Sequence, residues 1–186
     1  VMSEDIIRDL MRVEPDMKAL ALRYFNPIGA HPTAFIGELP NGVPNNLIPY
    51  LTQTAIGIRE QLSVFGDDYN TPDGSPLRDY IDVVDLAQAH VVAIRRLLDG
   101  KNKKNYEFFN IGTGKALSVL EIIHAFERAT GVKVNYKVVG RRAGDIEKVW
   151  ADTTLANNEL GWKAVTPIEE TLANAWKWQK SLEATN

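Results

Sequence analysis

LRYFNPIGAHP, at residues 22–32, follows directly on an apolar run, and this junction decides how the rest of the chain is interpreted. The apolar run predicts a strand over residues 19–25 that ends abruptly in aromatic, amide and Pro-Gly residues. In an α/β protein such a transition marks the carboxyl edge of a parallel sheet, where ligands bind. Tyr24 and Phe25 offer flat faces, and Asn26 offers both a donor and an acceptor. From these residues alone, a strand that runs into an ordinary loop is an equal alternative.

Strand-like and helix-like patterns alternate along the rest of the chain. Such alternation predicts an α/β fold. The predicted strands are 19–25, 62–66, 106–111 and 133–139, and the predicted helices are 3–13, 46–58, 83–98, 118–130, 153–160 and 167–182.

Capping signals mark several of these helix starts. Ser118-Val119-Leu120-Glu121 has the pattern of a capping box, and Thr166-Pro167-Ile168-Glu169 predicts a second one, with proline at the first helical position. Asp82 and Asp85 can both cap the helix that begins near residue 83.

The composition excludes several classes of function. Of the 186 residues, 45% are hydrophobic and 24% are charged, as in an ordinary globular protein. A net charge of -3 with scattered Lys and Arg gives no support for a nucleic-acid partner. The absence of cysteine excludes thiolate metal sites and fits a reducing compartment, and the three histidines lack zinc-ligand spacing. No apolar run approaches the roughly 20 residues that a membrane span needs. We therefore expect a cytoplasmic protein with no metal, no nucleic acid and no membrane partner.

The start of the chain is unusual for an α/β enzyme. Ile6, Ile7, Leu10 and Met11 have helical spacing, whereas such enzymes usually open with a strand. No G-x-G-x-x-G follows a strand with an acidic residue about 20 positions later. We therefore expect this chain to be a piece of a longer protein.

Two loops carry arginines suited to an anion. Arg78 follows a turn-rich segment, and Arg141 and Arg142 lie in a glycine-flanked loop. The guanidinium fork presents paired donors to a diphosphate, although surface arginines paired with neighbouring aspartates are the common alternative. The segment 110–115, NIGTGK, lacks the third glycine of a dinucleotide site and the spacing of a P-loop, so it predicts a tight strand-to-helix turn.

Four separated motifs occur together in this chain. They are LRYFNPIGAHP, GVPNNLIPYL at 42–51, VFGDDYNTPDGSPLRDYIDVVDLAQAH at 64–90 and RRAGD at 141–145. In this order they resemble the carboxyl-terminal half of the UDP-glucose 4-epimerases, which belong to the extended short-chain dehydrogenase/reductase family. The resemblance implies the carboxyl-terminal part of a Rossmann-type NAD(P)-binding fold plus a small α/β substrate-binding domain. Segments at about 1–30 and 83–115 would belong to the edge of the missing Rossmann domain.

The same resemblance implies a UDP-sugar site. Arg78 and Arg142 fall where epimerases contact the diphosphate, and Asp145 where they contact the ribose. Tyr24 and Phe25 fall beside the nicotinamide of the cofactor. Without the resemblance, Phe65 would be a core residue and Asn46 a helix cap. The remaining residues implied to bind substrate are Asn26, Asn46, Leu47, Ser63, Val64, Phe65, Tyr80 and Val149.

The catalytic groups of the family are not in this chain. Epimerases use a Tyr-x-x-x-Lys pair, here expected just upstream of Val1, and NAD bound mainly by the amino-terminal domain. The resemblance implies an isomerase that interconverts UDP-glucose and UDP-galactose through a 4-keto intermediate, and a homodimeric parent protein. We expect this chain alone to be inactive.

One position departs from the family pattern. Val149 stands before Trp150-Ala151-Asp152, where epimerases restricted to glucose and galactose often carry tyrosine. The smaller side chain implies more room near the sugar 2-position, unless neighbouring residues compensate for the difference. A UDP-N-acetylglucosamine 4-epimerase, or another nucleotide-sugar enzyme of the family, is therefore an alternative. A non-catalytic nucleotide-sugar-binding module is an alternative of a different class.

Overall fold

The computed structural model describes residues 2–184, which form short strands and helices in alternation. The helices are α1 (Met2–Val13), α2 (Leu47–Ala55), α3 (Val83–Leu98), α4 (Val119–Thr130) and α5 (Ile168–Glu183), with a π-helix over Ala156–Leu160. The strands are β1 (Ala19–Tyr24), β2 (Asn26–Ile28), β3 (Leu62–Phe65), β4 (Leu77–Arg78), β5 (Tyr80–Asp82), β6 (Tyr106–Ile111), β7 (Leu117–Ser118), β8 (Tyr136–Val139) and β9 (Lys148–Val149).

The strands pair mainly in parallel and form four small sheets. β1 pairs with β6, β2 with β5, and β3 with β8, in each case in parallel. In the fourth sheet, β4 lies between β7, which is antiparallel to it, and β9, which is parallel. The predicted α/β fold with parallel sheets is confirmed. The short strands β2, β4, β5, β7 and β9 were not predicted, because two or three residues show no periodicity.

Two apolar cores hold these elements together. The larger lies between α2, α4, α5 and β3, where Ile122, Phe126 and Leu172 are fully buried. The Trp176 ring packs edge-on against Phe126 with ring centroids 5.7 Å apart. Each such side chain stabilises the fold by about 1.5–3 kcal/mol. The smaller core joins α3 to β6 through residues such as Phe109. The division of the chain between two domains stays a prediction.

The predicted capping box of α4 is confirmed. The Ser118 hydroxyl accepts a hydrogen bond from the Glu121 N–H at 2.9 Å, and the Glu121 carboxylate accepts from the Ser118 N–H at 2.7 Å. Gly131 ends this helix in the left-handed conformation, at φ 72°. Both termini of α4 are therefore specified by residues within the helix or next to it.

The prediction of a capping box at α5 is wrong. The helix begins one residue later than that pattern requires, so that Pro167 occupies the N-cap position and no side chain caps the helix. The backbone just before α5 is held by Asp85 instead. Its carboxylate accepts hydrogen bonds from the N–H groups of Val165 at 3.0 Å and Thr166 at 2.8 Å. Asp85 therefore fixes the approach to α5, whereas Asp82 alone caps α3 through the Val84 N–H at 2.7 Å.

Several large apolar side chains lie on the surface near α1 and α3. Ile6 and Val13 on α1 are 67% and 73% exposed, and Ile94 and Leu98 on α3 are 58% and 80% exposed. Among residues 2–184 no helix has the length and apolar character needed to cross a bilayer.

Candidate nucleotide-sugar site

One cleft collects most of the residues that the sequence assigned to a site. It has a volume of about 490 Å³ and lies between the end of β1, the start of α2, the strands β3 to β5 and the loop that contains Arg142. The predicted site residues that line it are Phe25, Asn26, Asn46, Leu47, Ser63, Phe65, Arg78, Tyr80, Arg142 and Asp145.

The polar edge of the cleft consists of two arginines around one carboxylate. Asp145 Oδ1 lies 3.2 Å from Arg142 Nη2 and 3.7 Å from Arg78 Nη2. Arg78 also donates to the Leu77 carbonyl at 2.9 Å, which fixes its guanidinium. Two positive charges and one negative charge leave this edge with a net positive charge. Such an edge favours an anionic ligand.

Arg141 is separated from this cluster. Its Nε donates to Asp68 at 2.7 Å, and its guanidinium lies over the Tyr69 ring at 4.0 Å from the centroid. The ion pair holds the pKa of the Asp68 carboxyl below its ordinary value. Of the two adjacent arginines, therefore, Arg142 lines the cleft and Arg141 does not, which agrees with the choice of Arg142 that the family resemblance implied.

An aromatic wall adjoins the charged edge. Phe65 is 38% exposed, and the guanidinium carbon of Arg142 lies 5.7 Å from its ring centroid. The interpretation of Phe65 as a core residue is therefore wrong, because the alternation of side chains along β3 buries Val64 instead. β3 pairs with β8 on one edge only within the part of the chain that the structure describes.

Tyr80 and Asn46 are two further residues that line the cleft. Tyr80 is 6% exposed, and burial raises the pKa of its hydroxyl well above the ordinary value. Asn46 occupies the N-cap position of α2, but its side chain makes no cap and donates instead to Glu38 Oε1 at 2.7 Å. Sequence reasoning missed Tyr50, which also lines the cleft. Its position one helical turn after Leu47 was the signal.

Three predicted residues lie elsewhere. The side chain of Val64 is buried in the larger core, and its main chain lies in the ladder between β3 and β8, so a contact of Val64 with the ligand stays a prediction. Tyr24 is 51% exposed, and its ring lies 6.1 Å from that of His90. Val149 lies in β9, in register with Arg78 of β4.

Comparison with known proteins gives a consistent result. The family described as GDP-mannose 4,6 dehydratase matches residues 1–175. UDP-glucose 4-epimerase 1 of Oryza sativa subsp. japonica is 50% identical over 175 residues, which make up 94% of this chain and 49% of the relative. The chain thus spans about half the length of the curated relatives that it matches.

Solved structures resemble this chain closely. A UDP-glucose 4-epimerase from Stenotrophomonas maltophila, with bound NAD and formylated UDP-arabinopyranose, has a TM-score of 0.94 and 46% identity. The match covers 100% of this chain and 54% of the epimerase. A second epimerase, from Bifidobacterium longum in complex with NAD+ and UDP, has a TM-score of 0.90 and 44% identity over 97% of this chain and 52% of its own.

Proposed function

This chain belongs to the GDP-mannose 4,6 dehydratase family, and from that membership we propose that it is the substrate-binding part of a UDP-glucose 4-epimerase. The parent enzyme would interconvert UDP-glucose and UDP-galactose. One observation carries the proposal: residues from six separate segments line one cleft, which has an aromatic wall and a positively charged edge. The identity of about 50% to curated UDP-glucose 4-epimerases supports the same activity.

Arg78 and Arg142 bind the diphosphate. Both surround Asp145 at one edge of the cleft, and guanidinium groups present paired donors to phosphate oxygens. The two arginines have different exposures, 16% for the Arg78 side chain and 59% for that of Arg142. Arg78 is therefore the fixed part of the site, and Arg142 is the part that adapts to the ligand.

The nucleoside lies against β3 and α2. Ser63 offers polar groups on a strand edge to the uracil, and Phe65 excludes water from it. Asp145 accepts from the ribose hydroxyls. Asn46, Leu47 and Tyr80 complete the walls of this pocket, and Asn26 contacts the sugar.

The residues at the end of β1 fit the flat nicotinamide ring of NAD. Tyr24 is half exposed beside the cleft residue Phe25, so both can offer an aromatic surface. NAD supplies a hydride acceptor for C4 of the sugar when it is bound. The catalytic Tyr-x-x-x-Lys pair and most of the NAD site would come from the rest of the parent, which we propose to be a homodimer. The cytoplasmic location stays a prediction.

A second candidate function rests on Val149. Val149 is in register with Arg78 in the β4–β9 pair, and it stands where epimerases restricted to glucose and galactose often carry tyrosine. A UDP-N-acetylglucosamine 4-epimerase would use the same nucleotide cleft with a wider sugar site. A nucleotide-sugar-binding module without activity is the candidate from another class.

Calorimetric titration of the purified chain tests the proposal. We expect UDP and UDP-glucose to bind, and GDP and GDP-mannose to bind at least tenfold more weakly. Equal affinity for the uracil and guanine ligands would contradict the assigned nucleoside pocket. A parent gene with Tyr-x-x-x-Lys immediately upstream of Val1 distinguishes the enzyme from the binding module.

A further inference from the structure

Arg78, Asp79 and Tyr80 point in alternating directions at the junction of β4 and β5. Arg78 and Tyr80 both line the cleft. Asp79, between them, has no exposed surface at all. Since successive side chains of an extended segment lie on opposite sides, one buried residue here separates two residues of the cleft.

The Asp79 carboxylate accepts four hydrogen bonds. Its Oδ1 accepts from the Thr113 N–H at 2.9 Å and the Thr113 hydroxyl at 2.6 Å. Its Oδ2 accepts from the N–H groups of Gly114 and Ala151, each at 3.1 Å. Buried carboxylates require such partners, and these come from two distant segments of the chain.

This contact explains the NIGTGK segment at 110–115. A glycine-rich turn after a strand directs its N–H groups at an anion, and in this chain the anion is Asp79. A Cβ atom on Gly112 would lie 2.5 Å from Asp79 Oδ2, and Gly114 has a φ of +73°. Both glycines therefore suit the approach of the carboxylate.

The same residue connects the cleft walls. The Asp79 carbonyl accepts from the Asn26 N–H at 3.0 Å, and Asn26 lines the cleft. Ala151, bound through its N–H, is two residues beyond Val149. Asp79 thus joins β2, β4, β5 and the segment that follows β9.

We propose that Asp79 is the positioning residue of the nucleotide site, which rests on the function proposed above. Its carboxylate holds Arg78 and Tyr80 against the turn after β6 and against Ala151, and so sets where the diphosphate-binding guanidinium stands. It does not contact the ligand itself.

The Asp79→Asn variant tests this assignment. The substitution keeps the shape but places an amide NH₂, a donor, near two N–H donors. Asp85→Asn is the matched control, because Asp85 is also buried, at 6% exposure, and its Oδ2 also accepts two backbone N–H bonds. Asp85 does not line the cleft.

Two measurements on the purified chain are needed. In NMR spectra without ligand, Asp79→Asn should shift the Arg78 Nε–H and the Tyr80 amide signals, whereas Asp85→Asn should shift those of residues 165–166. In calorimetric titration, Asp79→Asn should raise the Kd for UDP on the order of tenfold, whereas Asp85→Asn should leave it within about twofold.

The outcomes are distinct. Unchanged Arg78 and Tyr80 signals in Asp79→Asn, or an equal loss of UDP affinity in both variants, would overturn the positioning role. A wild-type chain that does not bind UDP would overturn the proposed function. The NMR comparison would then still show whether Asp79 positions Arg78 and Tyr80. A variant too unstable to study would be replaced by Thr113→Val, which removes one of the four donors to Asp79 together with the bonds of that hydroxyl to Lys115, and should shift the Arg78 signal in the same direction.

Discussion

Asp145 Oδ1 lies 3.2 Å from Arg142 Nη2 and 3.7 Å from Arg78 Nη2, so one carboxylate oxygen faces two guanidinium groups. The carboxylate is only 14% exposed. Two guanidinium groups that would otherwise repel each other are therefore kept close together. They form the positively charged edge of the cleft, where the function proposed above places the diphosphate.

We predict that Arg78→Ala weakens UDP binding by about 1.5–3 kcal/mol, because a charge-assisted partner of the diphosphate is lost. Arg142→Ala should lose less, since its side chain is 59% exposed and its interactions are screened by solvent. Calorimetric titration with UDP measures both. Arg128→Ala is the control, because Arg128 pairs with Glu169 on the surface. Unchanged UDP affinity in Arg78→Ala would assign that arginine to structure alone.

The chain alone should not epimerise UDP-galactose. Proton transfer and hydride transfer each require groups that we assign to the rest of the parent enzyme, and binding alone does not replace them. A coupled assay for UDP-glucose, with NAD added, measures the activity. Turnover above the background of a heat-treated sample would contradict the assignment of the catalytic groups to the rest of the parent enzyme.

In the intact enzyme, Val149→Tyr should exclude N-acetylated sugars. A tyrosine ring would narrow the space that valine leaves open, and a steric clash costs more than the ~1–3 kcal/mol of one lost apolar contact. The ratio of kcat/KM for UDP-N-acetylgalactosamine over UDP-galactose should fall. A wild-type enzyme inactive on the N-acetylated sugar would refute the wider sugar site.

The two predicted capping boxes should differ in their contribution to stability. Ser118→Ala should lower the free energy of unfolding by about 1–2 kcal/mol, because the hydroxyl caps α4 and is buried. Thr166→Ala should change it by less than about 0.5 kcal/mol, because that side chain caps nothing and its N–H still reaches Asp85. Urea denaturation compares them. Equal losses of unfolding free energy in the two variants would show that the Thr166 side chain does cap α5.

The contact between α1 and β1 should weaken in acid. Arg23 donates to both oxygens of Glu4 at 2.6 Å, which lowers the pKa of Glu4 from 4.5 to about 2. A carboxylate with a lowered pKa stabilises the fold fully above its unfolded pKa. This stabilisation is lost as the pH falls from 4.5 toward 2.

Carbon-13 NMR of the Glu4 carboxyl measures that titration directly. Arg23→Gln is the matched variant, since it removes the charge and most of the donors. Its Glu4 should titrate closer to 4.5. The same midpoint in both proteins would show that Arg23 does not cause the shift.

Much of the secondary structure and most of the candidate site could be predicted without coordinates. Helix α3, strand β6 and the α4 capping box depend on signals within four residues of one another, so local chemistry specifies them. Arg78, Asn46 and Phe65 were identified because their motifs match those of a known family. Tyr50 was missed, because its one signal was a position one helical turn after Leu47, and an aromatic residue on an apolar helix face is more often part of a core.

The sequence by itself determined which residue types stand at the ends of strands and helices, and through them the α/β class. Only the tertiary structure decided that Arg141 pairs with Asp68, that Asp85 rather than Thr166 fixes the approach to α5, and that Asp79 is held by Thr113 and Ala151. The residues that make these contacts are 34 to 81 positions apart in the sequence. The physical reason is that a buried carboxylate takes whichever donors the chain path brings within about 3 Å, and that path depends on how the sheets and both cores pack together.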